Sequence, residues 1–546
     1  MTIASELPKD GRSFDVCIAG AGPAGLAVAL ECEARGLSII VIEAGGLQPR
    51  STGLMSEATD ILDKLRHGQM DVVTRQALGG TSWAWGGECI PFDRIDFEQR
   101  TYVPHSGWPI AYKDISDWHD AAARFLACGR PDFVRGLPGW ENLPSCNVDH
   151  LGRFSTSCNL ANRYRSRLEQ SANILLCVGK TVTGIQLDMS GQAVSCLKVR
   201  NSLGGATETQ KARFYVLAGG GVRTTHLLLA LQRTFPQLCG GDRGPLGRYY
   251  MGHIAGEIAT IVFNDPRDST EFLFQPDAKK VYSLRRITIR EDVQKRESLL
   301  NTAFMLRNPA IGDYRHMNGA LSLINLCLSN PLTGQRFSRR LSSTCAAPVG
   351  PQQWKHLGNA LRAPLRTAKD IKVILQQFLQ ETKIPVLIGN TAGRYTLRYH
   401  AEQVPNPESR IRLSEQFDRY GETTLKIDFR FTDQDGQSVL RAHEMLDQEL
   451  RETGRGYLDY WYPLKERLGA IMDIATDGYH QAGTTRMKAD PHEGVVDATC
   501  RVHDICNLYI ASSSVFPTTG SANPTFSIVA FALRLAAHIS GIPVSS

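Results

Sequence analysis

The sequence of 546 residues lacks the features by which several classes of protein are recognised. It has no long block of charge of one sign, and a net charge of +6 is small for this length, so a nucleic-acid partner is not predicted. The most apolar late stretch, 526–542, is interrupted by Arg534 and His538, which argues against a transmembrane helix. The opening MTIASELPKDGRS has neither the basic start nor the apolar run of a secretion signal, and we expect a cytoplasmic location.

Patterns typical of metal sites and hydrolases are also missing. The 13 cysteines are scattered, with no C-x-x-C pair and no C-x-x-C-H haem attachment site, which favours buried thiols over a disulfide framework or a metal cage. Ser512 to Ser514 lie outside the G-x-S-x-G context of a hydrolase nucleophile. Several histidines follow no metal-ligand spacing and are given little weight: His105, His119, His226, His253, His400, His492 and His503. No metal site is predicted.

What is present begins with a strand, a glycine turn, a helix and a second strand between Phe14 and Gly46. Apolar residues 16–19 lead into G-x-G-x-x-G at positions 20–25, a helix is predicted over about 24–35, and residues 39–42 form the next strand. The three glycines permit a tight turn, close approach of a pyrophosphate and close packing of helix on strand. The helix N-terminus offers free N–H groups to the anion, and Glu43 can accept hydrogen bonds from a ribose diol. The stretch predicts a dinucleotide site without deciding between NAD and FAD.

Two domains are expected from the length, and a composition of 42% hydrophobic and 21% charged residues is that of a soluble globular protein. Residues 77–100 form a segment rich in glycine and tryptophan, able to press its backbone against a flat ligand. Strands between 173 and 217 and a glycine turn before the helix VRTTHLLLALQ predict a return to the first sheet, so the nucleotide domain is predicted to be discontinuous.

Between about residues 251 and 468 the sequence pattern changes to segments in which polar and apolar residues alternate. The alternating segments EIATIVF, KVYSLRRITI and TLKIDFRFT predict a large antiparallel sheet that supports a substrate pocket. A basic stretch within it, 336–372, is interpreted as a solvated helical insert, with a lid or a docking face for a membrane or an acidic partner as the alternative. Near the C-terminus, 508–511 is predicted as a strand, and Asn523 is predicted to cap a helix that begins at Pro524.

Four pieces now stand in a characteristic order: the nucleotide loop, GGTSWAWGG, YHQAGTTRM at 479–487, and the terminal NLYIASSSVFPTTGSANPTF. This arrangement resembles the glucose-methanol-choline (GMC) family of FAD-dependent oxidoreductases, and is most similar to its bacterial sugar and glycoside oxidoreductases, next to the pyranose oxidases. The resemblance implies an α/β fold with a discontinuous Rossmann-type FAD-binding domain, 13–250 plus 471–546. A substrate domain, 251–470, is then built on the antiparallel sheet, with the basic helical insert near 336–380.

The resemblance also implies site residues. His480 matches the family's catalytic histidine, and Asn523 stands where the second member of the pair is His or Asn. The implied cofactor-binding residues are Gly20, Gly22, Ala24, Gly25, Glu43, Ala44, Gly79, Gly80, Thr81, Ser82, Gly86, Gly87, Val182, Ala218, Ser512, Asn523, Pro524 and Thr525.

Two departures from the family pattern matter. The terminal strand ends in Ile510, Ala511 and Ser512 where many members have an Asp, which puts that carboxylate contact to the cofactor in doubt. Pyranose oxidases that attach FAD covalently use a His just after the Gly-Gly loop, and this chain has Trp83, Ala84 and Trp85 there. A non-covalent FAD is therefore predicted.

The implied reaction is oxidation of a secondary alcohol of a sugar, glycoside or polyol to a ketone. His480, with an ordinary imidazole pKa of about 6.5, accepts the hydroxyl proton while the hydride passes to flavin N5. Two alternatives stay open: a lyase on the same flavin scaffold with His480 as acid and base, and a flavin monooxygenase that uses NAD(P)H. Dioxygen, a quinone or a redox protein is the expected electron acceptor, and the sugar, the carbon and the oligomeric state are left open.

Overall fold

The structure is a computed structural model and describes residues 3–8, 12–49, 58–141, 143–327, 352–379, 384–418 and 421–542. Its strands are β1 Ile3–Ala4, β2 Phe14–Ala19, β3 Ile39–Glu43, β4 Thr59–Ile61, β5 Glu88–Cys89, β6 Cys146–Asn147, β7 Leu151–Phe154, β8 Ile174–Val178, β9 Lys180–Leu187, β10 Val194–Asn201, β11 Thr207–Gln210, β12 Ala212–Leu217, β13 Ile254–Phe263, β14 Gln275–Pro276, β15 Tyr282–Arg285, β16 Ile287–Ile289, β17 Thr302–Arg307, β18 Arg394–Ala401, β19 Arg410–Phe417, β20 Thr423–Asp428, β21 Gly456–Tyr460 and β22 Leu508–Ile510.

The helices of the described residues complete the list of elements. They are α1 Pro23–Ala34, α2 Met70–Val73, α3 Lys113–Ser116, α4 His119–Phe125, α5 Leu160–Gln170, α6 Gly220–Thr234, α7 Glu291–Glu297, α8 Gly319–Cys327, α9 Gln353–Arg362, α10 Pro364–Leu379, α11 Asp433–Glu452, α12 Arg467–Ile474 and α13 Thr525–Ser540. Short 3₁₀ turns occur at Gly80–Trp83, Arg94–Phe97, Leu238–Arg243, Pro266–Phe272, Tyr314–His316, Leu464–Glu466 and Ser513–Val515.

A six-stranded parallel sheet carries the nucleotide loop. Its order is β1-β8-β3-β2-β12-β22, and every neighbouring pair is parallel. All five residues of β3 are buried, as expected for a strand covered on both faces. Because β12 and β22 join β2 from distant parts of the chain, the predicted return of the sheet and its discontinuity are confirmed.

The turn between β2 and α1 explains two of the three loop glycines. Gly20 has φ +112°, a region that side chains avoid, and a Cβ there would lie 2.6 Å from the carbonyl oxygen of Ala218. A Cβ on Gly25 would lie 1.9 Å from the carbonyl oxygen of Gly20, so only glycine lets α1 pack this closely on the turn. The helix begins at Pro23, one residue before the predicted start, and ends at Ala34.

The second sheet is antiparallel, with the order β21-β13-β18-β17-β16-β6. The segment EIATIVF lies in β13 of this sheet, as predicted. The prediction for TLKIDFRFT is wrong, because its strand β20 pairs with β19 and β4 in a separate three-stranded sheet. KVYSLRRITI is divided, because β16 joins the antiparallel sheet while β15 pairs with β14 and β7. Alternation alone identifies a strand but not its partner.

The basic insert is helical where it is described. The helices α9 and α10 cover 353–379, and residues Ala320, Leu321, Ile374, Val386 and Ile388 form a small buried cluster beneath it. Arg336, Arg339 and Arg340 lie outside the described residues. Among the helices that are described, none combines the length and the apolar character needed to cross a bilayer. The domain boundaries at 250/251 and 470/471 stay predictions, and β6, from the first half of the chain, already belongs to the antiparallel sheet.

Candidate active site

A cavity of about 610 Å³ connects the nucleotide loop with His480. Its wall brings together predicted residues that are up to about 500 positions apart: Gly20, Gly22, Ala24, Glu43, Ala44, Gly80, Thr81, Gly86, Val182, Ala218, His480, Ser512, Asn523, Pro524 and Thr525. A cavity that joins a glycine loop at the start of a helix to a histidine suits a dinucleotide whose ring system is the reactive part.

Four predicted residues, Gly25, Gly79, Ser82 and Gly87, do not line this cavity. The backbone N–H of Gly79 donates to the carbonyl oxygen of Ala21, and the Ser82 hydroxyl accepts from the backbone N–H of Leu160. The carbonyl oxygen of Gly87 accepts from Ser155. These contacts hold the loops that do line the cavity, and a cofactor contact from any of these four residues stays a prediction.

Glu43 closes the dinucleotide end. One carboxylate oxygen accepts from the backbone N–H of Ala21 at 2.8 Å, and the other accepts from Gly45 at 2.8 Å. Each oxygen keeps a second lone pair for a ribose hydroxyl. Burial raises the pKa of this carboxyl. Gly22, the residue before α1, supplies no side-chain cap, so the first N–H groups of the helix stay available for a pyrophosphate.

The part of the cavity near Val182, where adenine is predicted to bind, contains charged residues that the sequence did not single out. Arg223 donates to the carbonyl oxygen of Val182 at 2.7 Å and forms an ion pair with Glu422 at 3.2 Å. Glu422 also pairs with Arg200 at 3.1 Å. The Val182 oxygen is therefore already engaged, and a backbone contact from it to adenine would have to share it with Arg223.

A strained turn presents His480. Gly478 and Tyr479 both have left-handed φ, +63° and +64°, which for a tyrosine is uncommon and is seen most often at functional sites. The buried Asp477 holds the turn: its carboxylate accepts from the Tyr479 N–H at 3.1 Å, and its carbonyl oxygen accepts from the N–H of His480 at 3.2 Å. The ring of His480 thus faces the cavity from a fixed backbone.

Three imidazoles meet at this point. Nδ1 of His480 lies 2.7 Å from Nδ1 of His253, whose ring stacks on that of His400 at a centroid distance of 4.2 Å. Nδ1 of His400 donates to the carbonyl oxygen of Ser521 at 2.8 Å. Two nitrogen ligands on one zinc ion lie about 3.3 Å apart, so the 2.7 Å separation is that of a hydrogen bond rather than of two ligands of one metal.

Burial keeps the three rings neutral. It lowers the pKa of His480 to about 3, with the nearby Arg398 guanidinium as a second cause. Burial lowers the pKa of His253 and His400 as well, and each is further lowered by its neighbours in the cluster. A neutral His480 has one protonated and one unprotonated ring nitrogen. Nδ1 is hydrogen-bonded to His253, and Nε2 has no partner among the described residues.

Asn523 corrects the sequence prediction. Helix α13 begins at Thr525 with Pro524 in the capping position and no side-chain cap. The Asn523 amide instead donates from Nδ2 to Oε2 of Glu88 at 2.5 Å, and Glu88 pairs through Oε1 with the buried Arg286 at 3.3 Å. The predicted N-cap role of Asn523 is therefore wrong, because Glu88 competes successfully for its side chain.

The residues that sequence reasoning missed share one property. They occur singly, with no motif spacing, and only the tertiary fold brings them to the cavity or its rear wall: Glu88, Arg223, His253, Arg307 and His400. Arg307 and His400 carried one signal, because each is a polar residue in a strand that also holds buried apolar residues. Arg223 lies in α6 and His253 just before β13, where this signal is absent. His253 and His400 had been given little weight for want of such spacing.

The residues present fit FAD. The first turn of α1 and the loop glycines could receive a pyrophosphate, Glu43 could accept ribose hydroxyls, and Gly80, Thr81 and Trp85 line the same cavity. The hydroxyl of Ser512 accepts from the Ser514 N–H at 3.2 Å, so this side chain caps a short local turn.

Comparisons with known proteins agree with this geometry. A family model described as "GMC oxidoreductase" matches residues 405–532, and one described as "FAD binding domain" matches 15–80. Paromamine 6'-oxidase from Streptomyces fradiae is 22% identical over 98% of this chain and 93% of its own. C-glycoside 3-oxidase from Arthrobacter globiformis is 35% identical over 22% of each chain. A fungal aryl-alcohol oxidase has the same fold, with a TM-score of 0.52, 13% identity and coverage of 97% of this chain and 99% of its own.

Proposed function

The chain belongs to the glucose-methanol-choline family of FAD-dependent alcohol oxidoreductases, and from that premise we propose that it oxidises a secondary alcohol of a sugar, glycoside or polyol to a ketone. The observation that carries the proposal is the neutral His480 in the cavity wall, whose Nδ1 is fixed by His253 and whose Nε2 has no partner among the described residues. Names of relatives that act on paromamine, C-glycosides and pyranoses support the substrate class.

His480 acts as the proton acceptor in this proposal. For Nε2 to accept the hydroxyl proton, the ring hydrogen must sit on Nδ1 and be donated to Nδ1 of His253. His253 then fixes the tautomer and orientation of the base. When bound, FAD supplies the hydride acceptor. Because His480 starts neutral inside a buried cavity, it takes up the proton only as the substrate hydroxyl loses it.

Asn523 orients the substrate oxygen. One hydrogen of its amide is donated to Glu88 and fixes the side chain, which leaves a second hydrogen and the amide oxygen for the substrate. The ion pair of Glu88 with the buried Arg286 holds the acceptor in place. A hydrogen bond from Asn523 to the substrate oxygen would place the carbinol between the amide and His480.

A non-covalent FAD is part of the proposal. His480 is the single histidine in the described wall of the cavity, and no cysteine lines it. The loop after Gly80 instead carries Trp83 and Trp85, whose indole N–H groups donate to the carbonyl oxygens of Leu78 and Cys158. Acid precipitation of the purified protein is expected to leave all the flavin in the supernatant; flavin absorbance that stays with the denatured chain would contradict it.

Anaerobic bleaching of the flavin separates this function from its alternatives. Addition of a substrate from a panel of sugars, glycosides, aminoglycosides and polyols is expected to bleach the flavin absorbance without NAD(P)H. A flavin-scaffold lyase would convert its substrate with the flavin still oxidised, and a monooxygenase would bleach only with NAD(P)H. Failure of every alcohol in the panel, together with bleaching by NAD(P)H alone, would overturn the proposal.

The electron acceptor and the cellular location are also part of the proposal. Dioxygen, a quinone or a redox protein can each take the electrons from the flavin, and reoxidation of the bleached protein by each in turn identifies the one that acts fastest. A cytoplasmic location stays a prediction, for which fractionation of the native cell is the measurement.

A further inference from the structure

One face of the antiparallel sheet turns charged side chains toward the reactive end of the cavity. Along β18, Tyr395, Leu397 and Tyr399 are buried in the apolar core, so the intervening Arg398 and His400 lie on the opposite face. The register pairs Met305 of β17 with Arg398. Arg307, two residues further along β17, is therefore on the same face, and it lines the cavity that contains His480.

Two of the three arginines at this end are neutralised by carboxylates. Arg286 pairs with Glu88 at 3.3 Å, and Arg398 pairs with Glu257 at 3.7 Å. The guanidinium of Arg307 makes no ion pair and no side-chain hydrogen bond to any of the described residues. The two carboxylates that attract it, Glu257 and Glu88, are each already committed to another arginine.

Arg307 remains charged in this setting. Burial and the neighbouring Arg398 lower its pKa to about 10, which is still well above neutral pH. Arg307 is half-buried in the cavity wall. A charge that is largely withdrawn from water and has no partner is costly, and buried charges in proteins are paired or hold a ligand or metal. The position of Arg307 in the cavity wall makes a ligand the natural partner. Three arginines against two carboxylates leave one positive charge, which one carboxylate balances.

We infer that Arg307 forms a subsite for the carboxylate of the substrate, so that the alcohol oxidised at His480 belongs to a hydroxy acid such as a uronic acid glycoside or an aldonic acid. The planar guanidinium matches a carboxylate with two parallel hydrogen bonds. The inference rests on the proposed function for the reaction, while its anion-binding part stands on the sheet face and the charge pairing.

The test uses the FAD-loaded protein and two matched pairs of probes: methyl glucoside with methyl glucuronoside, and glucitol with gluconate. Wild-type protein is expected to have a kcat/KM for flavin bleaching that is about 10- to 100-fold higher for the acid of each pair, the size of a charge-assisted contact. Arg307→Met is expected to abolish this preference by lowering kcat/KM for the acid while leaving kcat/KM for the neutral probe unchanged. Arg307→Lys is expected to keep part of the preference.

Arg394→Met is the matched control. Arg394 starts the neighbouring strand β18 but pairs with Asp459 outside the cavity, so its loss is expected to leave the acid preference unchanged. If Arg307→Met does not retain FAD, Arg307→Lys and Arg307→Gln give the same readout of acid against neutral probe.

A second measurement keeps the subsite separate from the reaction. Gluconate and methyl glucuronoside are expected to perturb the visible spectrum of the oxidised flavin in a saturable way, and this binding is expected to weaken by the same factor in Arg307→Met. If no alcohol bleaches the flavin but this Arg307-dependent binding persists, the proposed function fails and the subsite stands.

Two results would overturn the subsite itself. One is an acid preference that is absent in wild-type protein, with neutral probes used equally well by wild type and Arg307→Met. The other is an equal loss for acid and neutral probes in Arg307→Met together with a changed flavin spectrum before any probe is added, because that pattern assigns Arg307 to the cofactor instead.

Discussion

Replacement of His480 by Asn is expected to lower kcat/KM for the alcohol by about 10²–10⁴-fold, the usual contribution of a general base. The variant is expected to keep its flavin, because the residues at the dinucleotide end are untouched. Rapid-mixing measurement of anaerobic flavin bleaching gives the rate, and absorbance of the purified protein gives the flavin content. Bleaching at the wild-type rate with normal flavin content would remove His480 from the role of base.

Matched variants locate the effect. His253→Leu leaves the base but removes the partner of its Nδ1, so a smaller loss of about tenfold is expected. His443→Leu changes a histidine that is buried in the apolar core of the antiparallel sheet, outside the cavity, and is expected to leave kcat/KM unchanged in protein that folds. Asn523→Ala is the companion variant for substrate orientation, and it too is expected to lower kcat/KM.

The pH dependence of kcat/KM tests the protonation state of His480. Burial places the pKa of His480 at about 3, below its ordinary value, so the base becomes protonated only as the pH falls through that lower value. Between pH 5 and 9, kcat/KM is therefore expected to show no acid limb from this residue. The contrary result is an acid limb of kcat/KM with a pKa near 6.5 that is absent from His480→Asn when both proteins are measured with the same slow substrate. It would mean that the ring is solvated in the working enzyme.

Gly25→Ala is expected to abolish FAD retention, the second large effect. The new methyl carbon would lie 1.9 Å from the carbonyl oxygen of Gly20 and 3.3 Å from Cβ of Ala218, so α1 would have to move away from the turn that receives the pyrophosphate. Overpacking of this kind costs about 1–3 kcal/mol or more, here concentrated on the loop that binds the cofactor. Flavin absorbance per protein and thermal unfolding with added FAD are the measurements.

Gly469→Ala is the control for this change. Gly469 lies exposed in α12, and a Cβ there meets no atom within 4 Å, so the substitution is expected to stabilise the helix by about 0.5–1 kcal/mol. A Gly25→Ala protein that retains FAD as well as Gly469→Ala would show that the turn tolerates the methyl group and that the close contact is not required.

The sequence by itself determined the local units and the cofactor end of the site. The spacing of Gly20, Gly22 and Gly25 and the position of Glu43 specify a turn, a helix start and a ribose acceptor within 24 consecutive residues, so short-range geometry was sufficient. His480 was found through the motif YHQAGTTRM, a resemblance rather than a physical derivation.

Only the tertiary structure decided what surrounds His480. Strand pairing sets which residues share a face and which distant segments meet, and no local pattern encodes it. The tertiary structure places His253 beside Nδ1 of His480, and the Asn523 amide donates to Glu88 instead of capping the helix. TLKIDFRFT pairs in another sheet than the one predicted. Arg307 is the positive charge at the reactive end that has no ion pair among the described residues. The chemistry of the site depends on these long-range contacts, because a base, its tautomer and its counter-charges are properties of neighbours in space.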